Sequence, residues 1–380
     1  MIDRIFKMQD TEEDSVFFFG ARQTGKTTLL KHLFPNARYY DLLKSEEYER
    51  LSRRPQLLRE ELQDYPETEL VVIDEIQKLP LLLDEVHWLI VNRNLRFVLT
   101  GSSARKLRRG GVNLLGGRAL LNYFYPLVSA EIEDFDISRA VNNGMLPRHY
   151  LVADATKRLS GYVGLYLQTE IVQEAVVRNL PSFNRFLEAA ALTSGEILVY
   201  TNVAADCGVS SATVKSYFDI LTDTLFGYIV PAYTKTVKRR LVQSPKFYMF
   251  DVGVANYLMH RSHLEQGSPE YGHAFEHLII QEMIAYLGYQ GRQRELSYWR
   301  TKNGIEIDAV LGDATVGIEI KSTTEVKDNQ LKGLRSFGGD YPHARLIAVS
   351  NDPYRRRKDN IEIIPVREFL SDLWAGRIFH

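Results

Sequence analysis

The stretch that decides the fold is residues 20–27, Gly-Ala-Arg-Gln-Thr-Gly-Lys-Thr, which has the G-x-x-x-x-G-K-[ST] spacing of a phosphate-binding loop. Residues 15–19 before it, Ser-Val-Phe-Phe-Phe, form an apolar run that predicts a buried strand. Residues 28–33 after it, Thr-Leu-Leu-Lys-His-Leu, predict the start of a helix. The loop therefore lies between a strand and a helix, a context that this motif requires and that a chance glycine-rich turn lacks.

The loop residues predict contacts to ATP and Mg²⁺. Backbone N–H groups at the start of a helix point toward phosphate oxygens, and glycines let the backbone close around them without a Cβ clash. Lys26 is expected to supply a cation to the β- and γ-phosphates, and the Thr27 hydroxyl to ligate Mg²⁺. The predicted nucleotide contacts in this segment are Gly20, Ala21, Arg22, Gln23, Thr24, Gly25, Lys26, Thr27 and Thr28.

A second predicted strand ends in two carboxylates. Residues 69–77, Glu-Leu-Val-Val-Ile-Asp-Glu-Ile-Gln, run from four apolar residues directly into Asp74 and Glu75. An unbroken apolar run is typical of a parallel strand buried on both faces, and such sheets bind ligands at the carboxyl ends of their strands. Asp74 is expected to hold Mg²⁺, directly or through water, and Glu75 to act as general base on the attacking water. The alternative is a strand that merely ends in acidic residues.

A third buried strand is predicted at residues 96–103, Arg-Phe-Val-Leu-Thr-Gly-Ser-Ser, and it ends in hydroxyl side chains. These side chains are candidates to sense the γ-phosphate, and capping of the following helix is a compatible interpretation. The candidates are Thr100, Ser102 and Ser103, of which Ser102 is included among the predicted nucleotide contacts.

A basic, glycine-rich segment follows this strand. An arginine in it is expected to stabilise charge on the transferred phosphoryl group, either in cis or from a neighbouring subunit. Arg118 is the first candidate for this catalytic role and Arg105 the second. A solvated basic loop is the alternative for each of them.

Length and composition indicate an ordinary globular protein of two or three domains. The chain has 380 residues, of which 45% are hydrophobic and 25% charged, and its formal net charge is −1. Nucleic-acid binding would therefore have to rely on local basic patches. The single cysteine, Cys207, excludes an intrachain disulfide and a cysteine-based zinc site. An N-terminus without a signal-like apolar region, and no apolar run near ~18 residues, predict a cytoplasmic protein without a membrane span.

The N-terminal motifs resemble those of AAA+-type ATPases. The resemblance rests on the phosphate loop, the Val-Val-Ile-Asp-Glu-Ile-Gln strand, the Leu-Thr-Gly-Ser-Ser strand, and Gly-Gly-Arg-Ala at 116–119 followed by Tyr-Pro-Leu at 125–127. The chain is similar to a group of bacterial and archaeal ATPases with an AAA core, a winged helix and a C-terminal restriction-endonuclease-like domain of unknown function. That resemblance implies a P-loop α/β sheet, a small helical lid, ATP-dependent action and a homo-oligomer.

The middle of the chain resembles a winged helix. Residues 203–221 predict a helix, a turn containing Gly208 and a second helix, and residues 227–231 and 244–248 predict a β-hairpin. The second helix has few side chains suited to reading bases, so non-specific DNA backbone contact and a structural or protein-binding role stay equally open. The basic residues predicted for the hairpin are Lys235, Lys238, Arg239, Arg240 and Lys246.

The C-terminal segment predicts a nuclease-like constellation. An amphipathic helix at 271–287 precedes strands at 295–300, 306–311 and 316–322. Alternation places Glu319 and Lys321 on one face of the third strand, with Asp308 on the neighbouring strand of a hairpin. Such a group can bind a second Mg²⁺ or Mn²⁺ and activate water for phosphodiester hydrolysis.

This pattern resembles the restriction-endonuclease-type fold. The acidic residue on the first helix of that fold corresponds to Glu276, and a further polar position corresponds to Gln330. An alternating charged strand is otherwise common on the wet face of a sheet, and nuclease-like folds also serve as docking modules. A late basic run at 355–358, Arg-Arg-Arg-Lys, is either a nucleic-acid contact or a solvated loop.

Together these interpretations predict an α/β protein of four parts. They are a P-loop AAA-type ATPase core at 1–130, a helical lid and connector at 131–185, a winged helix at 186–250 and a restriction-endonuclease-like domain at 251–380. The expected function is ATP binding and hydrolysis by an AAA+-type ATPase that acts on or near DNA through an attached nuclease-like domain. The alternative is an ATP-dependent switch whose C-terminal modules bind a protein partner without nuclease activity.

Overall fold

Five parallel strands form the centre of the N-terminal unit in the computed structural model of this protein. Across the sheet their order is the second, third, fourth, first and fifth strand of the chain, and every neighbouring pair is parallel. The structure describes residues 2–8, 11, 13–103, 115–167, 180–235 and 241–379, with the backbone alone at 165–167. The strands are β1 (Ser15–Gly20), β2 (Arg38–Asp41), β3 (Leu70–Asp74), β4 (Arg96–Gly101) and β5 (Ala119–Phe124).

The apolar runs of the sequence become the buried strands of this sheet. β1 and β3 are buried at every residue, and β4 at every residue after Arg96. The charged residues from Lys44 to Glu61 predict a helical stretch, which the structure divides in two, because Pro55 follows Arg54 and disfavours the helical conformation there. The helices of this unit are α1 (Lys26–Leu33), α2 (Ser45–Arg53), α3 (Leu57–Glu61) and α4 (Leu82–Arg93).

The chain divides into two compact units. The first ends at Pro126 and includes Asp223–Leu225, and the second comprises Leu127–Thr222 and the chain from Phe226 onward. The second unit begins with short helices, followed by a π-helical turn at Tyr162–Leu167. These helices are α5 (Ile137–Asn143), α6 (Pro147–Tyr150) and α7 (Thr156–Gly161).

Three helices and a two-stranded sheet follow in the second unit. The turn between the second and third helix contains Gly208 in the left-handed conformation, with φ of 67°, as the predicted helix-turn-helix requires. The hairpin strands pair antiparallel, from Gly227 opposite Met249 to Val230 opposite Lys246. The elements are α8 (Leu180–Leu192), α9 (Tyr200–Cys207), α10 (Ser211–Asp223), β6 (Gly227–Val230) and β7 (Lys246–Met249).

Asp251 connects two parts of the second unit. It is fully buried and caps α11 (Val252–Leu258), where its carboxylate accepts the Val254 N–H at 3.0 Å. The same carboxylate accepts the Met145 N–H at 2.6 Å. Gly144 lies so close that an added Cβ would be 2.1 Å from Asp251 Oδ1, and its φ of +77° also favours glycine. One carboxylate therefore holds the turn after α5 against α11.

We expect Asp251→Ala to lower the free energy of unfolding of this unit by about 2–4 kcal/mol. The variant removes a helix cap and leaves the buried Met145 N–H without an acceptor. Asp136→Ala is the matched control, because Asp136 also caps a helix, through the Arg139 N–H at 3.1 Å, but at a more accessible position. The denaturant midpoint of Asp251→Ala should lie clearly below that of Asp136→Ala. An equal loss of stability in the two variants would contradict a special role for Asp251.

The C-terminal part of the second unit is a six-stranded mixed sheet. Its order is β12-β13-β11-β10-β9-β8, with the last three antiparallel and β10, β11 and β13 parallel. The strands are β8 (Leu296–Arg300), β9 (Glu306–Leu311), β10 (Val316–Ile320), β11 (Arg345–Ser350), β12 (Arg356–Lys358) and β13 (Ile361–Pro365). The helices are α12 (Pro269–Tyr289), α13 (Lys332–Asp340) and α14 (Val366–Trp374).

Helix α12 is more deeply buried than its sequence pattern predicted. An amphipathic helix was expected at 271–287, but the residues from Ala274 to Leu287 are almost all buried. The helix packs against α5, α11, α14 and β8, so elements of the same unit cover it on several sides. Glu282 is consequently buried and Glu276 half-buried, and each has partners inside the protein.

Candidate nucleotide-binding site and carboxylate cluster

The phosphate-binding loop connects β1 to α1. Gly25 precedes the helix in the left-handed conformation, with φ of 100°, which the motif assigns to glycine. At Gly20 an added Cβ would be 2.4 Å from the Phe124 carbonyl oxygen of β5, so the neighbouring strand excludes any side chain there. Lys26 is 6% exposed, and its ammonium donates to the carbonyls of Gly20 at 2.5 Å and Ala21 at 3.1 Å. The lysine therefore lies within the loop that is expected to receive the phosphates.

Asp74 lies at the carboxyl end of β3, next to the loop. Its Oδ2 accepts the Thr27 hydroxyl at 2.8 Å and the Tyr39 hydroxyl at 2.7 Å, and its Oδ1 accepts the Thr100 hydroxyl. Thr100 also accepts the Glu75 backbone N–H at 3.2 Å. Of the three hydroxyl candidates at the carboxyl end of β4, Thr100 thus contacts both the Asp74 carboxylate and the Glu75 backbone.

Tyr39 is a member of this group that the sequence analysis missed. Burial and the Asp74 charge raise the pKa of the Tyr39 phenol well above its usual range, so it remains a hydrogen-bond donor. Its place follows from the pairing of β2 with β3, in which Asp41 is opposite Asp74. Knowing that residues 38–41 form a strand does not by itself show that Tyr39 reaches Asp74, because the contact depends on how β2 pairs with β3.

Glu75 follows Asp74 in an unusual backbone conformation. Its φ of 63° and ψ of 44° are left-handed, a region that non-glycine residues adopt rarely and often at functional sites. Its Oε2 accepts the Gln77 side-chain amide and lies 3.6 Å from Arg22 Nη2 of the loop. Gln77 also donates to Ser102 Oγ at 3.0 Å, so Ser102 supports the glutamate through Gln77. Gln77 is the second residue of this site that the sequence analysis did not single out.

The remaining predicted loop contacts differ in accessibility. Thr24 is buried and its hydroxyl donates to the Ala21 carbonyl at 2.8 Å, while its own carbonyl accepts Arg4 Nη1 at 2.7 Å. Gln23 adopts a left-handed conformation with φ of 63°, and its side chain is exposed, as is that of Thr28. The loop is therefore fixed from both sides while its outer residues remain accessible.

The C-terminal residues predicted for a nuclease site also lie together. Lys321 Nζ is 2.6 Å from Glu319 Oε1 and 3.9 Å from Asp308 Oδ2. Asp308 Oδ2 accepts the Ile320 N–H at 2.6 Å, which joins β9 to β10. Burial and the Asp308 charge raise the pKa of Glu276 to about 7 and that of Glu319 well above its usual range. We refer to Glu276, Asp308 and Glu319 as the carboxylate cluster.

Two side chains of β7 contact the carboxylate cluster and were not predicted to do so. Lys246 Nζ lies 3.8 Å from Glu276 Oε1, and the Tyr248 hydroxyl donates to the same oxygen at 3.0 Å. Lys246 was among the basic hairpin residues suited to a DNA backbone, but at 3% exposed it is not available for such a contact. Burial lowers the pKa of Lys246, but the charges of Glu276 and Asp308 outweigh it and raise the pKa overall. The alternation of β7 was the available signal, since residues 246 and 248 share one face.

The Gln330 side chain lies against its own helical turn. Its side-chain oxygen accepts the Lys327 N–H at 2.9 Å, so the amide caps its own helical turn. Across the ranges that the structure describes, no group of three or more histidine, cysteine, aspartate or glutamate side chains is arranged to hold a metal ion. The partners of the carboxylate cluster are ammonium, hydroxyl and N–H groups instead.

Most basic residues proposed as nucleic-acid contacts have acidic partners. Lys235 lies 3.0 Å from Asp313, and Lys358 lies 2.8 Å from Asp328. In the basic run, Arg355 pairs with Glu362 and Asp372, and Arg356 with Asp352. The remaining hairpin candidates, Lys238, Arg239 and Arg240, lie outside the described residues.

Family comparisons agree with the fold of the first unit. A family model described as an AAA domain matches residues 12–133. The N-terminal sheet has the P-loop AAA+ ATPase fold. Two further models, each described as a domain of unknown function, match residues 134–265 and 271–369. The AAA+ sheet is thus followed by two segments whose families carry no functional description.

Similar proteins include two uncharacterized ones. A Haemophilus influenzae protein is 24% identical over 337 residues, covering 83% of this chain and 80% of its own length. A Methanocaldococcus jannaschii protein is 23% identical over 360 residues, covering 79% of this chain and 73% of its own.

Solved structures give only weak likenesses. The Aeropyrum pernix ORC1 protein in complex with DNA has a TM-score of 0.28 at 15% identity, covering 65% of this chain and 86% of that chain. Domain III of the Thermotoga maritima replication initiation protein DnaA has a TM-score of 0.24 at 14% identity, covering 57% of this chain and 86% of that chain.

Arg118 lies at the edge of the AAA+ sheet opposite the loop. β5 pairs with β1 in parallel, with Ser15 opposite Ala119 and Gly20 opposite Phe124. Arg118 therefore precedes the amino end of β5, about 17 Å of strand from the loop at the carboxyl end of β1. The interpretation of Arg118 as a finger acting in cis is wrong for this reason. Arg105, the second candidate for the arginine finger, lies outside the described residues.

None of the helices within the described ranges combines the length and apolar character that a membrane crossing demands.

Proposed function

We propose that the protein binds ATP together with Mg²⁺ and hydrolyses it. The observation that carries this proposal is the convergence of Thr27 Oγ1 and Asp74 Oδ2, 2.8 Å apart, beside a loop that contains the buried Lys26. Hydroxyl and carboxylate oxygens are the ligand types that Mg²⁺ prefers, and a lysine cation suits the β- and γ-phosphates. The residues present therefore fit the nucleotide and its metal.

Each residue of the site has a distinct task in this proposal. Lys26 exchanges its loop carbonyl partners for phosphate oxygens, and Thr27 and Asp74 hold Mg²⁺, which would neutralise charge on the phosphate oxygens when bound. Glu75 accepts a proton from the attacking water as general base. Gln77 fixes the direction of the Glu75 carboxylate through its side-chain amide. Arg118 can stabilise charge on the transferred phosphoryl group only when it comes from a neighbouring subunit.

The direct test is release of inorganic phosphate from ATP by the full chain with and without Mg²⁺. We expect Mg²⁺-dependent turnover that a variant lacking the Lys26 ammonium does not show. Equal phosphate release by that variant would assign the activity to a contaminant and contradict the proposal.

We expect Gln77→Leu to lower kcat by roughly ten- to a hundredfold while the Kd for ATP stays unchanged. The change removes the amide that orients Glu75, and small misplacements of a catalytic group have effects of this size. Ser102→Ala is the matched control, because it removes the other partner of Gln77 and leaves the bond to Glu75. Gln77 is a positioning residue, so a loss of ATP affinity equal to the loss of kcat would contradict this role.

For the rest of the chain we propose regulated binding of a protein partner under the control of the ATP state. The pairing of Lys235, Lys358 and Arg355 with acids and the burial of Lys246 reduce the positive charge available to a DNA backbone. On α10 the exposed Lys215 is accompanied by the exposed Asp219, which gives this helix little capacity to read bases. Action on DNA is the competing candidate.

A comparison of ATPase rates with and without duplex, branched and single-stranded nucleic acids separates these candidates, together with electrophoretic shifts over a salt titration. We expect no salt-sensitive shift and no change in rate. Binding that weakens steeply with salt would favour action on DNA over protein binding, because released counterions produce that dependence.

A further inference from the structure

The carboxylate cluster contains a buried lysine that comes from outside the predicted nuclease motif. Lys246 belongs to β7, on the hairpin that follows the helix-turn-helix, whereas Glu276 belongs to α12. Its exposed fraction of 3% prevents the ammonium from extending to solvent, and its Nζ lies 3.8 Å from Glu276 Oε1 and 5.4 Å from the centre of the Tyr298 ring. A buried ammonium requires nearby negative charge, which the cluster supplies.

Each carboxylate of the cluster is already held by protein donors or cations through one of its oxygens. Glu276 Oε1 accepts the Tyr248 hydroxyl and faces the Lys246 ammonium. Glu319 Oε1 faces the Lys321 ammonium. Asp308 Oδ2 accepts the Ile320 N–H. Three carboxylates and two ammonium groups leave little net charge to attract a further cation.

The second oxygen of Glu319 does not change this result. Glu319 Oε2 is buried without a hydrogen-bond partner, and it lies toward α13, where a Cβ on Gly333 would be 3.1 Å away. Mg²⁺ and Mn²⁺ each need several oxygen ligands around one point, and within the described residues no group of three or more carboxylates is arranged in that way. The arrangement therefore does not fit the second metal that the nuclease-like motif implies.

We propose that Lys246 is the resident cation of the carboxylate cluster and takes the place of the divalent ion that a metal-dependent nuclease would need. The cluster binds neither Mg²⁺ nor Mn²⁺, and the C-terminal domain does not hydrolyse phosphodiesters there. The domain is then a binding module, whatever the ATPase activity of the first unit. Removing the Lys246 charge should convert the cluster into a metal site.

The experiment measures Mn²⁺ binding by titration calorimetry on the full chain without nucleotide. All proteins carry Asp74→Asn, which removes the carboxylate that would hold metal in the first unit and separates this test from the ATP site. We expect no Mn²⁺ binding to the cluster in this background. Adding Lys246→Met should make Mn²⁺ binding measurable, at an affinity at least about a hundredfold above the detection limit of the background, because a positive charge close to the carboxylates is lost while the side-chain length is kept.

Two controls define the site. Lys235→Met removes a lysine that is exposed and paired with Asp313, and it should leave Mn²⁺ affinity unchanged. Glu276→Gln added to Lys246→Met should abolish the gain, because the carboxylate released by the lysine is then lost. A gain that survives Glu276→Gln, or no gain in a folded Lys246→Met variant, would overturn the proposal.

A second test uses protein that keeps Lys246, so it applies even if the Lys246→Met variant does not fold. Mn²⁺ binding in the Asp74→Asn background that Glu319→Gln removes would show that the lysine does not exclude the metal. Cleavage of duplex or branched DNA by the unmodified chain with Mg²⁺ or Mn²⁺, lost in Asp308→Ala and Lys321→Ala, would likewise refute the proposal. Absence of both signals is the result we expect.

Discussion

Replacing Lys26 by alanine should abolish tight ATP binding. The ammonium is 6% exposed and lies against the carbonyls of Gly20 and Ala21, inside the loop that closes on the phosphates. Truncating one partner of a buried charge pair costs about 3 kcal/mol, which corresponds to roughly a hundredfold in Kd. Calorimetric titration with ATP and Mg²⁺ measures this change directly.

The matched control for this prediction is Lys44→Ala. Lys44 is an exposed lysine of the same unit that precedes α2, so its removal changes the net charge equally. We expect its Kd to match that of the unmodified chain. A Lys26→Ala variant that binds ATP as tightly as this control would remove Lys26 from the site.

Glu75→Gln should leave ATP binding intact and lower turnover by about 10²- to 10⁴-fold, the usual contribution of a general base. The amide keeps the size of the side chain but cannot accept a proton from water. The left-handed backbone at Glu75 and the contact with Gln77 aim the carboxylate, so the effect should appear in kcat. Single-turnover hydrolysis and calorimetry on the same preparation separate the two quantities.

Glu67→Gln provides the comparison for this variant. Glu67 is an exposed glutamate before β3, and its loss should change neither Kd nor kcat. If Glu75→Gln turned over ATP at the rate of Glu67→Gln, another group would have to activate the water.

The sequence was sufficient for the parts of the AAA+ sheet that are apolar along their whole length. β1, β3 and β4 are buried nearly throughout, and their patterns predicted both the strands and the acidic or hydroxyl ends. β5 was missed because it is an edge strand with Leu120 and Leu121 each 40% exposed, so its residues do not form a buried run. Periodicity identifies elements best where burial is uniform.

The missed site residues depend on register rather than on local pattern. Tyr39 reaches Asp74 from the adjacent strand, and Gln77 reaches Glu75 only because the chain turns sharply between them. In the C-terminal domain, alternation correctly placed Glu319 with Lys321 and Asp308. It did not indicate that residues of β7 would contact α12, and this is why the contact of Lys246 with Glu276 was not predicted.

The origin of Lys246 has a practical consequence for anyone who expresses the C-terminal domain alone. A fragment that starts at residue 251, or at the family-model boundary of 271, omits β7 and with it both Lys246 and Tyr248. Such a fragment would present carboxylates deprived of their partners, and it should take up divalent ions from the buffer. Metal-stimulated cleavage seen in that truncated preparation would be a product of the cloning boundary, and only the intact chain reports the native chemistry.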